Sequence, residues 1–302
     1  MAAKSLILGT GLSGLVGSRV VELLSSQYDF VNLDLATGID ITDKSQVDRV
    51  ISAHPEAHGL IHLAAFTDVS KASQQKGDRE GLVYQVNVVG SQNIARVAAE
   101  RKLYLIHVST DFVFDGKNPP PGGYTEEDST HPIEWYGQTK LMAEEAVRKS
   151  GAPAAIVRIA FPFRSHFASK LDLVRSIIDK LKTDSLHPMF ADQTIIPTFI
   201  DDIATALKVF LDKKPSGTYH LVGSSGLSPF DLAQKIKTTF NLPGTIKQGS
   251  FKDYAKTDTR PRQQYLKLSN AKLKRDLGVT MSTIDQALST LKQQLSSSTK
   301  II

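Results

Sequence analysis

The chain has 302 residues, of which 41% are hydrophobic and 22% charged, and it carries a net charge of +5 and no cysteine. This is the composition of an ordinary globular protein, and the length allows one large domain or two fused ones with a substantial core. The lack of cysteine excludes a disulfide framework, a thiol nucleophile and any zinc or iron–sulfur site with cysteine ligands.

Lysine and arginine are interleaved with acidic residues along the chain. Because no dense basic run favours nucleic acid, we expect no nucleic-acid partner, whereas an anionic small molecule would suit the positive balance. The apolar run near the N-terminus ends too early for a signal peptide, and no segment reaches the roughly 18 apolar residues of a membrane helix. We therefore expect a cytoplasmic protein without a membrane partner.

The first half of the chain alternates between short apolar runs and segments with helical spacing. The predicted strands are residues 5–8, 30–33, 60–64, 103–108 and 155–159. The predicted helices between them are residues 15–25, 46–51, 83–100 and 135–149. Apolar strands without polar alternation are typical of a parallel sheet buried on both faces. The pattern predicts an α/β fold of the Rossmann type, in which a doubly wound parallel sheet carries helices on both sides.

The alternation loosens after residue 160. Helical spacing recurs at residues 171–181, 201–211, 229–240 and 282–295, with one short strand at 219–222. We predict an NAD(P)-binding domain over residues 1–160, joined by residues 198–225. The rest, residues 161–197 and 226–302, is predicted to form a smaller α/β substrate-binding region.

A glycine-rich segment lies between the first predicted strand and helix. Residues 9–17 read Gly-Thr-Gly-Leu-Ser-Gly-Leu-Val-Gly. Gly11 suits a tight turn, Gly14 allows the backbone to approach a diphosphate, and Gly17 allows the helix to pack closely on the sheet. The backbone amides and the positive end of the helix dipole then face the phosphates. In this context the segment predicts a dinucleotide site.

Asp34 ends the next predicted strand, 20 residues after Gly14. An acid at this position can accept hydrogen bonds from the adenosine ribose. Its charge would repel a 2′-phosphate, which slightly favours NADH over NADPH as the cofactor.

Two short segments further along could complete this site. Asp40 and Ile41 could border the adenine, with the carboxylate accepting from the exocyclic amine and Ile41 stacking on the ring, or they could form a helix-capping loop. Ala64 and Ala65 follow the third predicted strand. Small side chains there would allow the backbone to pass close to a ribose, or they could simply pack the strand end.

Tyr136 and Lys140 are four residues apart on a predicted helix and so share a face. A tyrosine is a weak acid, with an unperturbed pKa of about 10. A neighbouring ammonium would stabilise the phenolate and lower the pKa of Tyr136, which suits a proton donor to a carbonyl. Lys140 could also hold the nicotinamide ribose. Tyrosine and lysine at this spacing are common by chance. The prediction that Tyr136 and Lys140 are functional therefore depends on the glycine-rich segment upstream.

A run of polar residues follows the fourth predicted strand. Ser109, Thr110 and Asp111 lie at its carboxyl end, where doubly wound folds place their sites. A hydroxyl there can hydrogen-bond a substrate carbonyl, and we assign that role to Thr110, with Ser109 as the alternative. Asn87, in the preceding helix, could bond the backbone or relay protons, or it could be structural.

Three motifs together resemble the extended short-chain dehydrogenases/reductases: Gly11-x-x-Gly14-x-x-Gly17, Asn87-Val-Val-Gly90 and Tyr136-x-x-x-Lys140. The segments 109–116, 124–128 and 136–144 narrow the resemblance to the dTDP-4-dehydrorhamnose reductase-like family. Further matches extend it over nearly the whole chain: Asp192-Gln193, Pro197-Thr198 and Arg260-Pro261-Arg262.

The resemblance implies an NAD(P)H-dependent oxidoreductase that reduces the 4-keto group of a deoxyhexose on a nucleoside diphosphate. The implied catalytic residues are Thr110, Tyr136 and Lys140. The implied partners are a nucleotide-sugar substrate and NAD(H) or NADP(H), and a homodimer is one assembly that this interpretation allows. Arg260 or Arg262 could bind the substrate diphosphate with a bidentate fork, or either could be a surface arginine beside a proline turn.

The predicted site residues combine the motifs with the resemblance. The cofactor-binding set is Gly11, Ser13, Gly14, Leu15, Val16, Asp34, Asp40, Ile41, Ala64, Ala65, Tyr136 and Lys140. The substrate-binding set is Thr110, Asp111, Tyr136 and Arg260. No metal site is predicted.

The sequence departs from the family pattern on the sugar side. Ala143 stands where the family usually has glycine, and the segment after Arg158 lacks the family's usual tryptophan, since the only tryptophan is Trp135. Two alternatives share the motifs. One is a sugar-nucleotide epimerase or dehydratase, which uses its dinucleotide as an internal redox carrier. The other is a non-catalytic regulatory subunit like that of methionine adenosyltransferase.

Overall fold

The computed structural model describes residues 4–258 and 260–298. Its strands are β1 (Ser5–Thr10), β2 (Tyr28–Asn32), β3 (Gly59–His62), β4 (Leu105–Thr110), β5 (Ala154–Ile159), β6 (Pro162–Phe163), β7 (Met189–Phe190), β8 (Thr198–Phe199), β9 (Gly217–His220) and β10 (Gln248–Gly249). Its helices are α1 (Leu15–Leu24), α2 (Lys44–Ser52), α3 (Val69–Gln74), α4 (Leu82–Tyr84), α5 (Ser91–Glu100), α6 (Trp135–Ser150), α7 (Leu173–Lys182), α8 (Ile200–Lys213), α9 (Pro229–Phe240), α10 (Phe251–Thr257), α11 (Ala271–Leu277) and α12 (Ile284–Ser298).

Six strands form one sheet in the order β2-β1-β3-β4-β5-β9. β1 pairs in parallel with both β2 and β3, and β3 pairs in parallel with β4. The strand order therefore reverses between β1 and β3, and the crevice at such a switch point is where doubly wound sheets bind ligands. The predicted α/β fold with a doubly wound parallel sheet is confirmed.

The strands β1, β3, β4 and β5 are buried along most of their length because most of their side chains are apolar on both faces. Leu8 of β1, Leu60 of β3 and Leu105 of β4 are fully buried. Polar side chains interrupt this pattern toward the carboxyl ends of the strands. Thr10, His62 and Thr110 are all at most 5% exposed, so polar groups collect under the edge of the sheet where a site is expected.

The predicted helix over residues 83–100 is interrupted. Residues 85–90 wind as a π-helix between α4 and α5. The wide turn contains Asn87, which is fully buried. π-Helical turns in α-helices are frequent at functional sites. The sequence did not predict this one, because the extra residue of the turn is not visible in the spacing of the hydrophobic residues.

The chain divides into two compact units. The first contains the described residues up to Asp115, Ser129–Arg158 and Ile203–Tyr219, and the second contains Gly116–Asp128, Ile159–Asp202 and the described residues from His220 onward. The loop 116–128 thus groups with the second unit, whereas the sequence analysis placed it in the first domain. The predicted domain boundaries stay a prediction.

Each unit has its own apolar core. Leu8, Leu60, Ile94, Leu105 and Ile156 belong to the core of the first unit. In the second unit, α7, α9 and α12 pack together, and their core includes Val174, Leu232 and Leu288. Two short strand pairs, β6 with β8 and β7 with β10, complete the second unit. Among the residues that the structure describes, no helix is both long and apolar enough to cross a bilayer.

Candidate active site

The glycine-rich segment forms a tight loop between β1 and α1. Gly11 has a φ of +73°, and a Cβ on it would lie 2.6 Å from the backbone nitrogen of Ala64. Gly14 begins α1 as its N-cap without a side-chain cap hydrogen bond. A Cβ on Gly17 would collide with the carbonyl oxygen of Gly11. Gly17 therefore packs on the loop backbone, whereas we predicted that it packs on the sheet.

Asp34 follows β2 and reaches back to the glycine loop. Its carboxylate accepts hydrogen bonds from the backbone N–H of Gly11 and, at 2.8 Å, from that of Ser13. The amide of Asn32 donates to the Ser13 hydroxyl at 2.8 Å. Asp34 is only half-buried, and an ionised carboxylate has about four acceptor positions. The same carboxylate can therefore brace the loop and still accept from a ribose.

Asp40 and Ile41 occupy a turn ahead of α2. One Asp40 oxygen accepts from both the N–H and the hydroxyl of Thr42 at 2.8 Å. Ile41 is only 6% exposed and packs against Gly90 in the core. The side chain of Ile41 thus packs in the core, and little of its surface is accessible for the predicted stacking on adenine.

Beside the glycine loop, the segment after β3 is tied to β1 by a buried polar chain. The backbone N–H of Ala64 donates to the Thr10 hydroxyl at 3.2 Å, and that hydroxyl lies 2.6 Å from Nδ1 of His62. Nε2 of His62 lies 2.9 Å from the Ser91 hydroxyl. Burial, with Lys140 nearby, lowers the pKa of His62 to about 3, so the ring is neutral. The sequence analysis missed this chain because its members are 29 to 54 residues apart.

Tyr136 is the second residue of α6, and the start of that helix is tightly defined. The Glu134 carboxylate accepts from the N–H groups of Tyr136 at 2.8 Å and Gly137 at 2.7 Å. A Cβ on Gly137 would collide with the carbonyl oxygen of Phe112. The glycine therefore allows the first turn of α6 to lie directly against the turn that follows β4.

Thr110 ends β4 and lies beside Tyr136. The Thr110 hydroxyl donates to Oδ1 of Asp111 at 3.0 Å, and it is near enough to Tyr136 to lower the pKa of that phenol. It also accepts from the backbone N–H of Phe112 at 3.3 Å. All of Thr110, Asp111 and Tyr136 are at most 9% exposed. The structure thus brings together Thr110 and Tyr136, two of the three predicted catalytic residues, in one buried cluster.

The electrostatics of Tyr136 are opposite to our expectation. Burial raises the pKa of Tyr136, and the carboxyl groups of Asp111 and Glu134 add to the rise, while the Thr110 hydroxyl opposes it. The predicted lowering of the Tyr136 pKa by Lys140 is therefore wrong. Burial is the largest cause, so Tyr136 is a neutral phenol that can donate a proton.

Lys140 lies one turn after Tyr136 and is 2% exposed. Its Nζ donates to the carbonyl oxygen of Val108 in β4 at 2.8 Å. Burial lowers its pKa to about 8, while Glu144 opposes that change. The bond to the strand holds the ammonium under the carboxyl edge of the sheet and leaves it further protons to donate, since an ammonium has three.

Asn87 bridges two parts of the site. Its Oδ1 accepts from the N–H of Phe66 at 2.7 Å, and its Nδ2 donates to the Thr139 hydroxyl at 3.0 Å. Thr139 in turn donates to the carbonyl oxygen of Tyr136 at 2.8 Å. Of the roles left open for Asn87, these contacts support backbone bonding, which ties the segment after β3 to α6.

A buried ion pair anchors the same helix further along. The Arg158 guanidinium donates through Nε to Oε1 of Glu144 at 2.9 Å and through Nη2 to Oε2 at 2.8 Å. Arg158 is 2% exposed and Glu144 fully buried. Burial opposes ionisation of Glu144, but the Arg158 guanidinium outweighs it and lowers the pKa of Glu144. The sequence analysis did not assign this pair, although the chain offers Arg158 in a strand that is otherwise apolar.

In the second unit, the predicted diphosphate ligands are engaged with an acid. Arg260 donates through Nε and Nη2 to the Asp258 carboxylate at 2.9 and 2.8 Å. Arg262 donates to the same carboxylate at 2.9 Å and lies over the Tyr254 ring. The Arg260 and Arg262 side chains are 39% and 37% exposed. They are surface arginines that share one counterion.

The first unit has what a dinucleotide requires. Gly11 and Gly14 have no side chain at the two positions where the backbone would approach a diphosphate, and Leu15 and Val16 lie in the first turn of α1. Asp34 lies at the end of β2, and Tyr136 and Lys140 lie at the end of β4. Within residues 4–258 and 260–298, no three histidines or acids are grouped as metal ligands would be.

Comparison with known proteins agrees with this geometry. The family model described as the RmlD substrate binding domain matches residues 5–297. The probable low-salt glycan biosynthesis reductase Agl14 of Haloferax volcanii is 30% identical over 300 residues, which cover 95% of this chain and 97% of that protein. Methionine adenosyltransferase 2 subunit beta of Rattus norvegicus is 31% identical over 79% of this chain and 73% of its own length.

A solved structure extends the similarity to three dimensions. The dTDP-4-dehydrorhamnose reductase of Bacillus anthracis, solved in complex with NADP, is 27% identical, with a TM-score of 0.86 over 97% of this chain and 99% of its own. The match of the family model over nearly all of the chain shows that this protein belongs to the RmlD family within the extended short-chain dehydrogenases/reductases.

Proposed function

We propose that the chain is an NAD(P)H-dependent oxidoreductase that reduces the 4-keto group of a deoxyhexose carried on a nucleoside diphosphate. One observation carries this proposal: Thr110, at the carboxyl end of β4, and Tyr136, at the start of α6, are buried side by side, on the sheet edge that also bears the glycine loop. Membership of the RmlD family supports the substrate class, since the Bacillus anthracis relative is a dTDP-4-dehydrorhamnose reductase.

A nicotinamide dinucleotide, when bound, supplies the hydride that reduces the keto carbon. The chain would hold its diphosphate at Gly11, Ser13, Gly14, Leu15 and Val16, and its adenosine ribose at Asp34. The segments at Asp40–Ile41 and Ala64–Ala65 would border the adenosine and the second ribose. Lys140 would hold the nicotinamide ribose with the ammonium protons that Val108 does not use.

The residues at the end of β4 act on the substrate carbonyl. Thr110 and Tyr136 would each donate a hydrogen bond to the keto oxygen, Thr110 by turning its hydroxyl away from Oδ1 of Asp111, and so stabilise the negative charge that develops on it. Tyr136 then transfers its phenolic proton to that oxygen. Because burial and two nearby carboxyl groups disfavour the phenolate, proton transfer away from Tyr136 requires a bound substrate oxygen that has become strongly basic.

The direct test is NADH oxidation across a panel of nucleotide-linked keto sugars. Tyr136→Phe should lower kcat by about 10²–10⁴-fold, the typical contribution of general acid catalysis. The same substitution should leave the Kd of NADH, measured by fluorescence titration, within about threefold, because phenylalanine keeps the ring. Full activity of the variant would overturn the mechanism.

The preferred dinucleotide follows from Asp34. Its half-buried carboxylate would repel the 2′-phosphate of NADPH, so we propose a modest preference for NADH. Asp34→Asn should shift the ratio of kcat/KM values towards NADPH by about tenfold, the effect of roughly 1.4 kcal/mol in a charge interaction. An unchanged ratio would show that bracing the loop is the only role of this carboxylate.

A second candidate is a regulatory subunit, because the methionine adenosyltransferase subunit of Rattus norvegicus is 31% identical. That function predicts cofactor binding without substrate turnover, together with a stable complex with a methionine adenosyltransferase catalytic subunit. Turnover on the panel without complex formation in size-exclusion chromatography would decide for the reductase. Complex formation with no turnover would decide for the regulatory subunit.

A further inference from the structure

We propose that His62 positions residues 64–66 for dinucleotide binding, and that it does so in one tautomer, with the proton on Nε2 and with Nδ1 as an acceptor. This inference deepens the proposed oxidoreductase function and rests on it, because these residues border the site proposed for the dinucleotide. His62 is a positioning residue in this proposal, since it is only 1% exposed and acts through its neighbours.

A buried chain of hydrogen bonds runs from residues 64–66 to the start of α5. The N–H of Ala64 donates to the Thr10 hydroxyl at 3.2 Å, and that hydroxyl lies 2.6 Å from Nδ1 of His62. On the other side of the imidazole, Nε2 lies 2.9 Å from the Ser91 hydroxyl. The side chains of Thr10, His62 and Ser91 are all at most 1% exposed, so they must satisfy one another rather than water.

Asn87, in the π-helical turn, closes this chain into a cycle. Its carbonyl oxygen accepts from the Ser91 hydroxyl at 2.7 Å. Its side-chain Oδ1 accepts from the N–H of Phe66 at 2.7 Å. Because Ala64 and Phe66 are two residues apart, the same hydrogen-bonded cycle holds both ends of this short segment. The members of a buried network depend on one another, so a change at the imidazole should reach the backbone of residues 64–66.

The hydrogen-bonded cycle allows one protonation state of His62. The Ser91 hydroxyl has one proton and donates it to Asn87, so its oxygen can only accept from Nε2 of the imidazole. The Thr10 oxygen accepts from Ala64, and among the residues that the structure describes its own proton has no acceptor but Nδ1. His62 is therefore the neutral imidazole with its proton on Nε2. Burial, which lowers the pKa of His62 to about 3, acts in the same direction.

The position of Ala64 matters because its backbone packs on the glycine loop. A Cβ on Gly11 would lie 2.6 Å from the backbone nitrogen of Ala64 and 2.7 Å from the carbonyl carbon of Leu63. Thr10, the partner of Nδ1, directly precedes Gly11 in the chain. The imidazole thus ties together the two backbone segments that border the proposed dinucleotide site. Without an acceptor at Nδ1, the Thr10 hydroxyl would have to turn, and Ala64 could shift against Gly11.

Two substitutions of His62 separate the two nitrogens of the imidazole. The amide of asparagine lies at about the position of Nδ1, and its oxygen can still accept from Thr10, whereas the longer glutamine places an NH₂ near Nε2 that can still donate to Ser91. We expect His62→Gln to raise the Kd of NADH about tenfold and His62→Asn to raise it no more than about threefold, because only the first leaves the buried Thr10 proton unpaired. Fluorescence titration measures both values.

His54→Gln is the matched control, because His54 is a partly exposed histidine ahead of β3, and it should bind NADH as the wild type does. A purely structural role of His62 predicts lower unfolding midpoints for both His62 variants and an unchanged Kd for NADH. A wild-type Kd in a folded His62→Gln variant would therefore overturn the inference.

Thr10 tests the same hydrogen bond from its other end. Thr10→Val keeps the shape of the side chain and removes the hydroxyl, so it should raise the Kd of NADH about as much as His62→Gln does. Thr10→Ser keeps the hydroxyl and should restore binding. If Thr10→Val binds NADH as tightly as the wild type, the bond to Nδ1 does not position the segment and the inference fails.

The tautomer can be measured in the wild type without turnover. Nitrogen-15 NMR at about pH 6, where an ordinary histidine with a pKa of about 6.5 is mostly charged, should show one imidazole with a protonated Nε2 and an unprotonated Nδ1. This signal should be missing in His62→Gln. A charged ring at position 62, or a proton on Nδ1 alone, would overturn the inference.

Failure of this inference differs from failure of the proposed function. If the wild type binds neither NADH nor NADPH, the proposed oxidoreductase function is overturned. If the wild type binds NADH and both His62→Gln and Thr10→Val bind it equally well, the positioning role of His62 is overturned and the oxidoreductase function stands.

Discussion

Two polar regions of this molecule differ in how far their charged side chains are exposed to solvent. Along α6, Tyr136, Lys140 and Glu144 are nearly or fully buried, and Lys140 and Glu144 have defined partners in the first unit. In the second unit, Arg260 and Arg262 share the counterion Asp258 with more than a third of each arginine side chain exposed. Buried polar groups are held in one geometry, because a buried group that loses its hydrogen-bond partner destabilises the fold. Exposed ion pairs contribute little to the free energy of unfolding.

This difference in exposure predicts that the two regions have different functions. The buried cluster has one arrangement, which suits proton transfer because donor and acceptor must stay within hydrogen-bond distance. The arginines can turn from Asp258 towards a ligand phosphate at small cost, since the pair they leave is worth about 0–1 kcal/mol. Substitutions should therefore have large effects in the first region and small ones in the second.

The largest effect should come from the buried ion pair. Glu144→Gln leaves the Arg158 guanidinium buried without its countercharge, and we expect it to lower the free energy of unfolding by about 3–5 kcal/mol. Urea denaturation measures this directly. Glu145→Gln is a matched control in the same helix, because Glu145 is half-exposed and 3.9 Å from Lys149, and it should cost no more than about 0.5 kcal/mol.

The Glu144–Arg158 ion pair also predicts how the free energy of unfolding depends on pH. The pKa of Glu144 is lower in the folded protein than its ordinary value, so the unfolded chain takes up this proton at the higher pH. The stabilisation is complete above about pH 4.3, the ordinary value, and is lost as the pH falls through the folded value. The difference between wild type and Glu144→Gln should therefore shrink on acidification, and a constant difference would show that the charge does not matter.

A smaller effect should follow from displacing Tyr136 without removing it. Gly137→Ala puts a methyl group against the carbonyl oxygen of Phe112, which pushes the first turn of α6 away from Thr110. We expect kcat to fall about 10- to 100-fold, since a misplacement of about 1 Å can cost that much. Gly122→Ala, where a Cβ would meet no atom within 4 Å, should leave kcat unchanged. If both variants keep wild-type kcat, the close approach of α6 is not needed.

The smallest effect should come from the exposed arginines. Arg260→Ala should raise the KM for the nucleotide sugar about three- to tenfold, which corresponds to losing an exposed pair worth about 1 kcal/mol, and should not change the KM for NADH. Arg275→Ala, at an exposed pair with Asp276 in the same unit, is the control. Equal changes in both KM values would remove Arg260 from the substrate site.

The extent to which sequence predicts this protein differs between the fold and the site. The alternation of apolar runs and helical segments was enough for the doubly wound sheet, because parallel strands that are buried on both faces are mostly apolar along their length. The glycine loop was also predictable, because its φ of +73° at Gly11 admits few other residues. The π-helical turn at residues 85–90 was not, since an extra residue in a turn does not alter which residues are apolar.

In the site, too, the sequence predicts what depends on local spacing and does not predict what depends on contacts between distant residues. Spacing alone places Tyr136 and Lys140 on one face of α6, and this was visible in the sequence. The raised pKa of Tyr136 was not visible, because it depends on burial and on the charges of Asp111 and Glu134, which lie in different elements. Lys140 likewise donates to Val108, 32 residues earlier in the chain, and that contact exists only once β4 lies beside α6.

By itself, then, the sequence determined the fold class, the dinucleotide loop and the identity of the groups available for chemistry, because these depend on local conformation and periodicity. Only the tertiary structure decided the protonation of those groups. Desolvation and contacts between distant residues make Tyr136 a neutral donor, ionise Glu144 against Arg158, and place a protonatable Asp111 behind Thr110. A pKa depends on what surrounds a side chain in space, and spacing along the chain does not encode that.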